Sequence, residues 1–214
     1  MERLKVNEIF VSIQGESSRA GLACAFVRLT GCPLRCRWCD TTYAYHQGRE
    51  MSLEEILLRV ASFGVELVEV TGGEPLMQEQ TPELLRQLCD SGHQVMLETS
   101  GALDLAPVDL RVRVIMDIKC PGSGMAQRMH WPNLEHLKPG DEVKFVLADR
   151  RDYDYARQAV QRHDLARRCR VLLSVVHGAL EPRRVVEWML ADRLPARFQL
   201  QLHKYIWPPD QRGV

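Results

Sequence analysis

No stretch of these 214 residues is long and apolar enough to cross a bilayer, and the opening Met1-Glu2-Arg3-Leu4-Lys5 lacks the apolar core of a secretory leader. The expected location is therefore cytoplasmic, with no membrane partner. Net charge is missing as well. The 28 Lys and Arg residues balance 28 Asp and Glu, so no overall field argues for nucleic acid or an anionic surface. One basic cluster, Arg167, Arg168 and Arg170, reads as a solvated helix end. Linkers, low-complexity tracts and internal repeats are also absent, which leaves a single domain over residues 1–214 with room for a substantial core. In a reducing compartment the seven cysteines do not form a disulfide framework.

Three of those cysteines stand together, in Gly31-Cys32-Pro33-Leu34-Arg35-Cys36-Arg37-Trp38-Cys39-Asp40-Thr41. No fourth cysteine lies near. Thiolates bind soft metals and iron–sulfur clusters, and three of them on a [4Fe-4S] cubane leave one iron open to a small ligand. A structural zinc site needs a closed tetrahedral set, which His46 would complete. Three unrelated thiols are the remaining reading. Cys24, Cys89, Cys120 and Cys169 are isolated in sequence and read as small buried hydrophobes, with Cys24 and Cys120 nearest the site.

Apolar runs alternate with helical patterns along the chain. Strands are expected at residues 6–11, 25–29, 65–70, 94–97, 112–118, 143–147, 171–176 and 198–202. Ser52 and Glu55 form a capping box that opens a helix with Ile56, Leu57 and Val60 inward. Thr81-Pro82 opens another, carrying Leu84, Leu85 and Leu88. Residues 153–163 and 182–190 read as further helices. Repeated strand–helix units imply an α/β fold with a parallel sheet and right-handed crossovers. About six units are too few to close, so an open, partial (β/α)6 TIM-like barrel is predicted. Such folds place their sites at the C-terminal strand ends. The cysteine loop, Gly72-Gly73-Glu74-Pro75, Glu98-Thr99-Ser100-Gly101, residues 119–123, Lys144, residues 174–177 and His203 should all converge there.

Taken singly these motifs are ambiguous. Gly72-Gly73-Glu74 can be a plain turn or bare backbone approaching a ligand. Lys144 interrupts an apolar strand, either toward solvent or toward an anion in the mouth. Arg28 is a surface charge or a carboxylate fork, and His203 is structural or part of the site.

Cys32, Cys36 and Cys39, spaced C-x-x-x-C-x-aromatic-C with Trp38 as the aromatic, resemble the signature of radical S-adenosylmethionine (SAM) enzymes, and Gly72-Gly73-Glu74-Pro75 resembles that superfamily's segment for the methionine amino group. Residues 7–10, 12–16 and 26–29 before the cysteines, with Cys39-Asp40-Thr41, Glu98 to Gly101 and Leu202 to Tyr205, resemble the 7-carboxy-7-deazaguanine synthase family over nearly the whole chain.

That resemblance implies that Cys32, Cys36 and Cys39 hold a [4Fe-4S] cluster whose open iron takes SAM, from which a 5′-deoxyadenosyl radical forms. It implies SAM contacts at Trp38, Cys39, Asp40, Gly72, Gly73, Glu74, Gly101, Glu142, Val143, Lys144, Ser174, Val175, Val176 and His177. A pterin substrate would meet Ile13, Gln14, Gly15, Glu16, Arg28, Thr99 and His203, and Thr41 would ligate Mg2+. The implied reaction turns 6-carboxy-5,6,7,8-tetrahydropterin into 7-carboxy-7-deazaguanine with loss of ammonia, for queuosine and 7-deazapurine synthesis. A homodimer and a flavodoxin-type electron donor are implied too.

Ser17, Val175 and the tail beyond Lys204 depart from the family pattern. The tail leaves the far end of the pocket unassigned. Two alternatives stay open at this stage: a radical SAM activase for a glycyl-radical enzyme, and a non-catalytic zinc or iron–sulfur module.

Overall fold

The computed structural model describes residues 2–214. The chain opens with strand β1 (Arg3–Ile13), which pairs antiparallel with both β2 (Ala23–Leu29) and β3 (Arg49–Ser52). From β2 onward the sheet is parallel, through β4 (Leu67–Gly72), β5 (Gln94–Thr99), β6 (Arg113–Asp117), β7 (Glu142–Leu147), β8 (Arg170–Val175) and β9 (Arg197–Phe198). The order β3-β1-β2-β4-β5-β6-β7-β8-β9 never returns on itself, so the half-barrel is open. Its two flanks are joined by loops instead: Leu202 donates to the Gly15 carbonyl at 2.9 Å, and the Ser17 amide to Gln199 Oε1 at 2.8 Å.

Helices α1 (Leu53–Ala61), α2 (Thr81–Asp90), α3 (Arg150–Arg162), α4 (Leu165–Arg168) and α5 (Pro182–Asp192) form the layer outside the sheet, and α6 (His203–Ile206) follows the last strand. The Ser52 and Glu55 side chains cap α1 reciprocally, at 3.2 and 2.6 Å. The chain departs from the expected alternation in two places. The β5–β6 crossover contains no helix, and the β6–β7 crossover holds only 3-10 turns. Asn133 stands in there, taking the Leu105 amide and donating to the Gly101 and Leu103 carbonyls. The last strand is also shorter than expected, pairing only at Arg197 and Phe198 before the chain leaves the sheet edge.

Period-two alternation sorts the strand residues into two cores. Val27, Val68, Val70, Leu97, Met116, Val143 and Phe145 face the helices in one large cluster. Cys24, Phe26, Leu67, Met96 and Ile115 face inward and fill the lower interior, with Phe10 stacked on Phe26 at 5.0 Å. One or two steps further along the same inward faces stand Arg28, Glu69, Thr71, Glu98, Asp117 and Lys144. The apolar plug thus carries a polar layer just beneath the mouth.

Candidate active site

A cavity of about 260 Å³ opens at the C-terminal ends of the parallel strands. The cysteine loop follows β2 and forms one wall, with Cys32, Cys36 and Cys39 all lining the space and partly exposed. Burial pushes the Cys32 and Cys36 thiols up, and the nearby Lys119 ammonium partly offsets this at both. Burial first, and the neighbouring Cys39 next, hold the Tyr45 hydroxyl above its ordinary value, and Arg35 lies over the Tyr45 ring at 4.2 Å. Among the described residues no three His, Cys, Asp or Glu side chains converge as one ion's ligand set. The three thiols instead line one shared cavity, and three soft sulfurs on one cavity wall are the donor set that a cluster with one open iron needs.

The turn after β4 seats this loop. The Glu74 amide donates to the Gly31 carbonyl at 2.8 Å, and a Cβ on Gly73 would come within 2.2 Å of that oxygen and 2.8 Å of Cys32 Cβ. Only bare backbone fits. The Glu74 carboxylate points away from the cavity and clasps the β5 loop. It accepts from Thr99 Oγ1 at 2.8 and 3.0 Å, from the Ser100 amide at 2.7 Å, from Ser100 Oγ, and from the Leu76 amide at 3.1 Å.

Lys144 crosses the floor with its side chain 4% exposed. It donates to Glu16 Oε2 at 2.9 Å and to Glu98 Oε1, and stands 3.7 Å from Asp117. Burial opposes the charge, yet Glu16, Glu98 and Asp117 outweigh it and hold the ammonium well above its ordinary value. Glu16 mirrors this. Burial alone would raise its carboxyl, but Lys144 and Gln201 bring it below the usual range. Gly15 is bare where His203 enters, since a Cβ there would meet His203 Nδ1 at 2.2 Å. Burial lowers the His203 imidazole despite the opposing pull of Glu16.

Arg28 lines the cavity with Nε bonded to Glu8 at 2.8 Å, and Tyr43 donates to the same oxygen at 2.9 Å. Thr41 Oγ1 donates to Asp40 at 2.9 Å, and Lys204 reaches Asp40 at 2.6 Å. The tail folds back over the mouth. Pro209, Asp210, Gln211, Gly213 and Val214 line it, and Arg212 lies 3.8 Å above the Tyr43 ring.

The cavity therefore gathers Ile13, Gln14, Gly15, Glu16, Arg28, Cys32, Cys36, Trp38, Cys39, Asp40, Thr41, Gly72, Gly73, Thr99, Lys144, Val176, His177 and His203. Glu74, Gly101, Glu142, Val143, Ser174 and Val175 are not among its lining residues. Glu142 begins β7, at the opposite end of the barrel, where it accepts from the Ser18 amide at 3.1 Å and from Ser18 Oγ. Val143 and Val175 face the helices. Of the two isolated cysteines placed near the site, Cys120 lines the cavity and Cys24 lies in the plug below it. Sequence reasoning did not single out Glu69, Asp117, Tyr43 or Gln201. Strand parity offered a signal for Glu69, two residues before Thr71 on one pleat face.

An open parallel half-barrel with three thiols and a bare glycine turn at its mouth defines a radical SAM enzyme, and residues 26–119 match the Radical SAM superfamily. Identity over the full length narrows this. The chain is 51% identical to 7-carboxy-7-deazaguanine synthase of Chlorobaculum tepidum, covering 99% of this chain and 97% of that protein. It is 41% identical to the synthase of Koribacter versatilis, over 99% and 100%. The chain belongs to the 7-carboxy-7-deazaguanine synthase family. The crystal structure of QueE from Escherichia coli shares its fold, with a TM-score of 0.76 at 23% identity over 94% and 95% of the two chains.

Proposed function

We infer that the chain converts 6-carboxy-5,6,7,8-tetrahydropterin to 7-carboxy-7-deazaguanine with loss of ammonia, as a lyase of 7-deazapurine synthesis. The observation that carries this is full-length identity to the named synthases, joined to a cavity lined by the three cysteines, Gly72-Gly73 and the Gln14-Gly15-Glu16 segment. That same identity sets aside the activase and zinc-module alternatives. When bound, a [4Fe-4S] cluster and SAM supply the electron and the hydrogen-abstracting species that no side chain can provide.

The side chains position and shield. Cys32, Cys36 and Cys39 would hold three corners of the cluster, leaving the fourth free. The Gly72 and Gly73 backbone would approach the methionine amino group, while Trp38, Asp40, Lys144, Val176 and His177, which line the same cavity, would meet the rest of SAM. Glu74 keeps that backbone in place through its clasp on Thr99 and Ser100. Glu142, Val143, Gly101, Ser174 and Val175 do not line the cavity, and we assign them a supporting role there.

Arg28 would take the substrate carboxylate, its planar fork already aimed by Glu8. Ile13, Gln14, Gly15, Glu16, Thr99 and His203 would surround the ring. The apolar plug beneath excludes water from that side. Thr41 offers Mg2+ a hard oxygen ligand beside Asp40, in keeping with the ion's preference for oxygen and retained water. A homodimer and a flavodoxin-type donor complete the proposal on the strength of family membership. So does a cytoplasmic site of action.

Anaerobic reconstitution followed by incubation with SAM, dithionite, Mg2+ and the carboxypterin tests the reading. The deazaguanine product is expected from the wild type. Cys36→Ala should load less iron and give no product, and full activity in that variant would refute the cluster assignment.

A further inference from the structure

Glu69 is the one carboxyl side chain of the floor that no cation touches. It sits on the inward face of β4, 3% exposed, beside Phe26 on β2 and Met96 on β5. Oε2 accepts from Gln14 Nε2, and Gln14 Oε1 in turn accepts from the Glu16 amide at 3.1 Å. Both ends of the Gln14 amide are thus committed. Oε1 has no partner among the described residues, and Glu69 lines the cavity. The inward position below it is apolar, so the free oxygen can be satisfied only from above.

We propose that Glu69 reads the pterin ring: one carboxyl oxygen fixes the Gln14 amide, and the other hydrogen-bonds an edge of the bound ring. This rests on the pterin reading given above. The groups facing Glu69 are Glu98 from β5, Lys144 from β7, Glu16 from the loop after β1 and Cys24 from β2. Burial first, and Glu98 next, hold its proton well above the ordinary carboxylate range, against the pull of Gln14 and Lys144. In the neutral acid that this shift favours, the free oxygen is the one that carries hydrogen and can donate it. Its complement is an acceptor on the pyrimidinone ring, the carbonyl oxygen or an unprotonated ring nitrogen. Ionisation would turn a donor into a further repelling carboxylate beside Glu16 and Glu98.

The test uses cluster-loaded enzyme and reads KM for 6-carboxytetrahydropterin and Kd for SAM from about pH 7 to about pH 9.5. In the wild type, KM should climb about tenfold per pH unit once Glu69 loses its proton. A carboxamide offers the same carbonyl to Gln14 and an N–H to the ring, so Glu69→Gln should raise KM only about threefold near neutrality. It should also lose that alkaline rise, leaving only what titration of the substrate contributes to both proteins. Glu69→Leu should raise KM about thirtyfold with the SAM Kd within about twofold of wild type.

An alkaline rise persisting in Glu69→Gln would overturn the proposal, and so would an unchanged pterin KM in Glu69→Leu. A SAM Kd that moved in step with KM would also overturn it, by showing a purely structural role. If Glu69→Leu fails to fold, the pH comparison with Glu69→Gln decides alone. Absence of product from the wild type would instead remove the parent reading, and this one with it, before any variant is made.

Discussion

Lys144→Met removes the one ammonium that Glu16, Glu98 and Asp117 share while keeping a stem of similar length. Breaking a buried ion pair from one side costs about 3–5 kcal/mol, because the partner charge is left desolvated and alone. Glu16 is 16% exposed along its side chain and Glu98 29%, so both can partly rehydrate. The lower figure, about 3 kcal/mol, therefore applies, and for a chain of this length it lowers Tm by about 6–12 °C.

The pH dependence has a definite sign. The Lys144 contribution is complete below the pKa of an unfolded lysine and fades as pH rises through its elevated folded value. The Glu16 contribution, from a depressed carboxyl, is present above the ordinary carboxylate range and is lost as pH falls through its folded value. Without the ammonium, the Glu16 carboxyl rises and takes up a proton earlier. The deficit should therefore shrink between about pH 7.5 and about pH 5.5. Urea denaturation followed by circular dichroism at both pH values measures it. A deficit below about 1 kcal/mol, or one that grows on acidification, would refute the reasoning.

Ser52→Ala removes half of the capping box on α1 and should cost about 1 kcal/mol, seen as a Tm fall of about 2–4 °C with iron content unchanged. Gly73→Ala forces a methyl into the Gly31 carbonyl, so iron loading should fall sharply while the far-UV spectrum stays near wild type. Glu74→Ala leaves the Ser100 amide and hydroxyl without their partner and should cost about 2–3 kcal/mol in the same denaturation assay.

Features governed by local chemistry were legible in the sequence. The Ser52–Glu55 box, the Thr81-Pro82 start and the strands feeding the mouth depend on near neighbours, and they form as expected. The two crossovers around β6 were harder to read. Asn133 satisfies backbone groups some 30 residues away in place of a helix, and no periodicity announces such a contact. The site divides the same way. The thiols and the glycine turn declare their chemistry by spacing, whereas for Glu69 parity with Thr71 gives the face, and only the placement of β2 and β5 beside it shows that this face is the barrel interior. Glu142 shows the reverse case. Sequence likeness set it beside the cofactor, but strand direction puts it at the other end of the barrel, holding Ser18. The tail beyond Lys204, which left the far end of the pocket unassigned, returns over Tyr43 and lines the mouth.

The seat beneath the cysteine loop also orders biogenesis. As the polypeptide leaves the ribosome, Cys39 emerges 60 residues ahead of Thr99, whose hydroxyl helps lock the Glu74 turn against which the loop rests. A nascent chain thus displays three sulfurs without the frame that spaces them. Iron–sulfur delivery to this protein belongs after translation of β5, and any metal met earlier is offered loose thiols rather than a finished cradle.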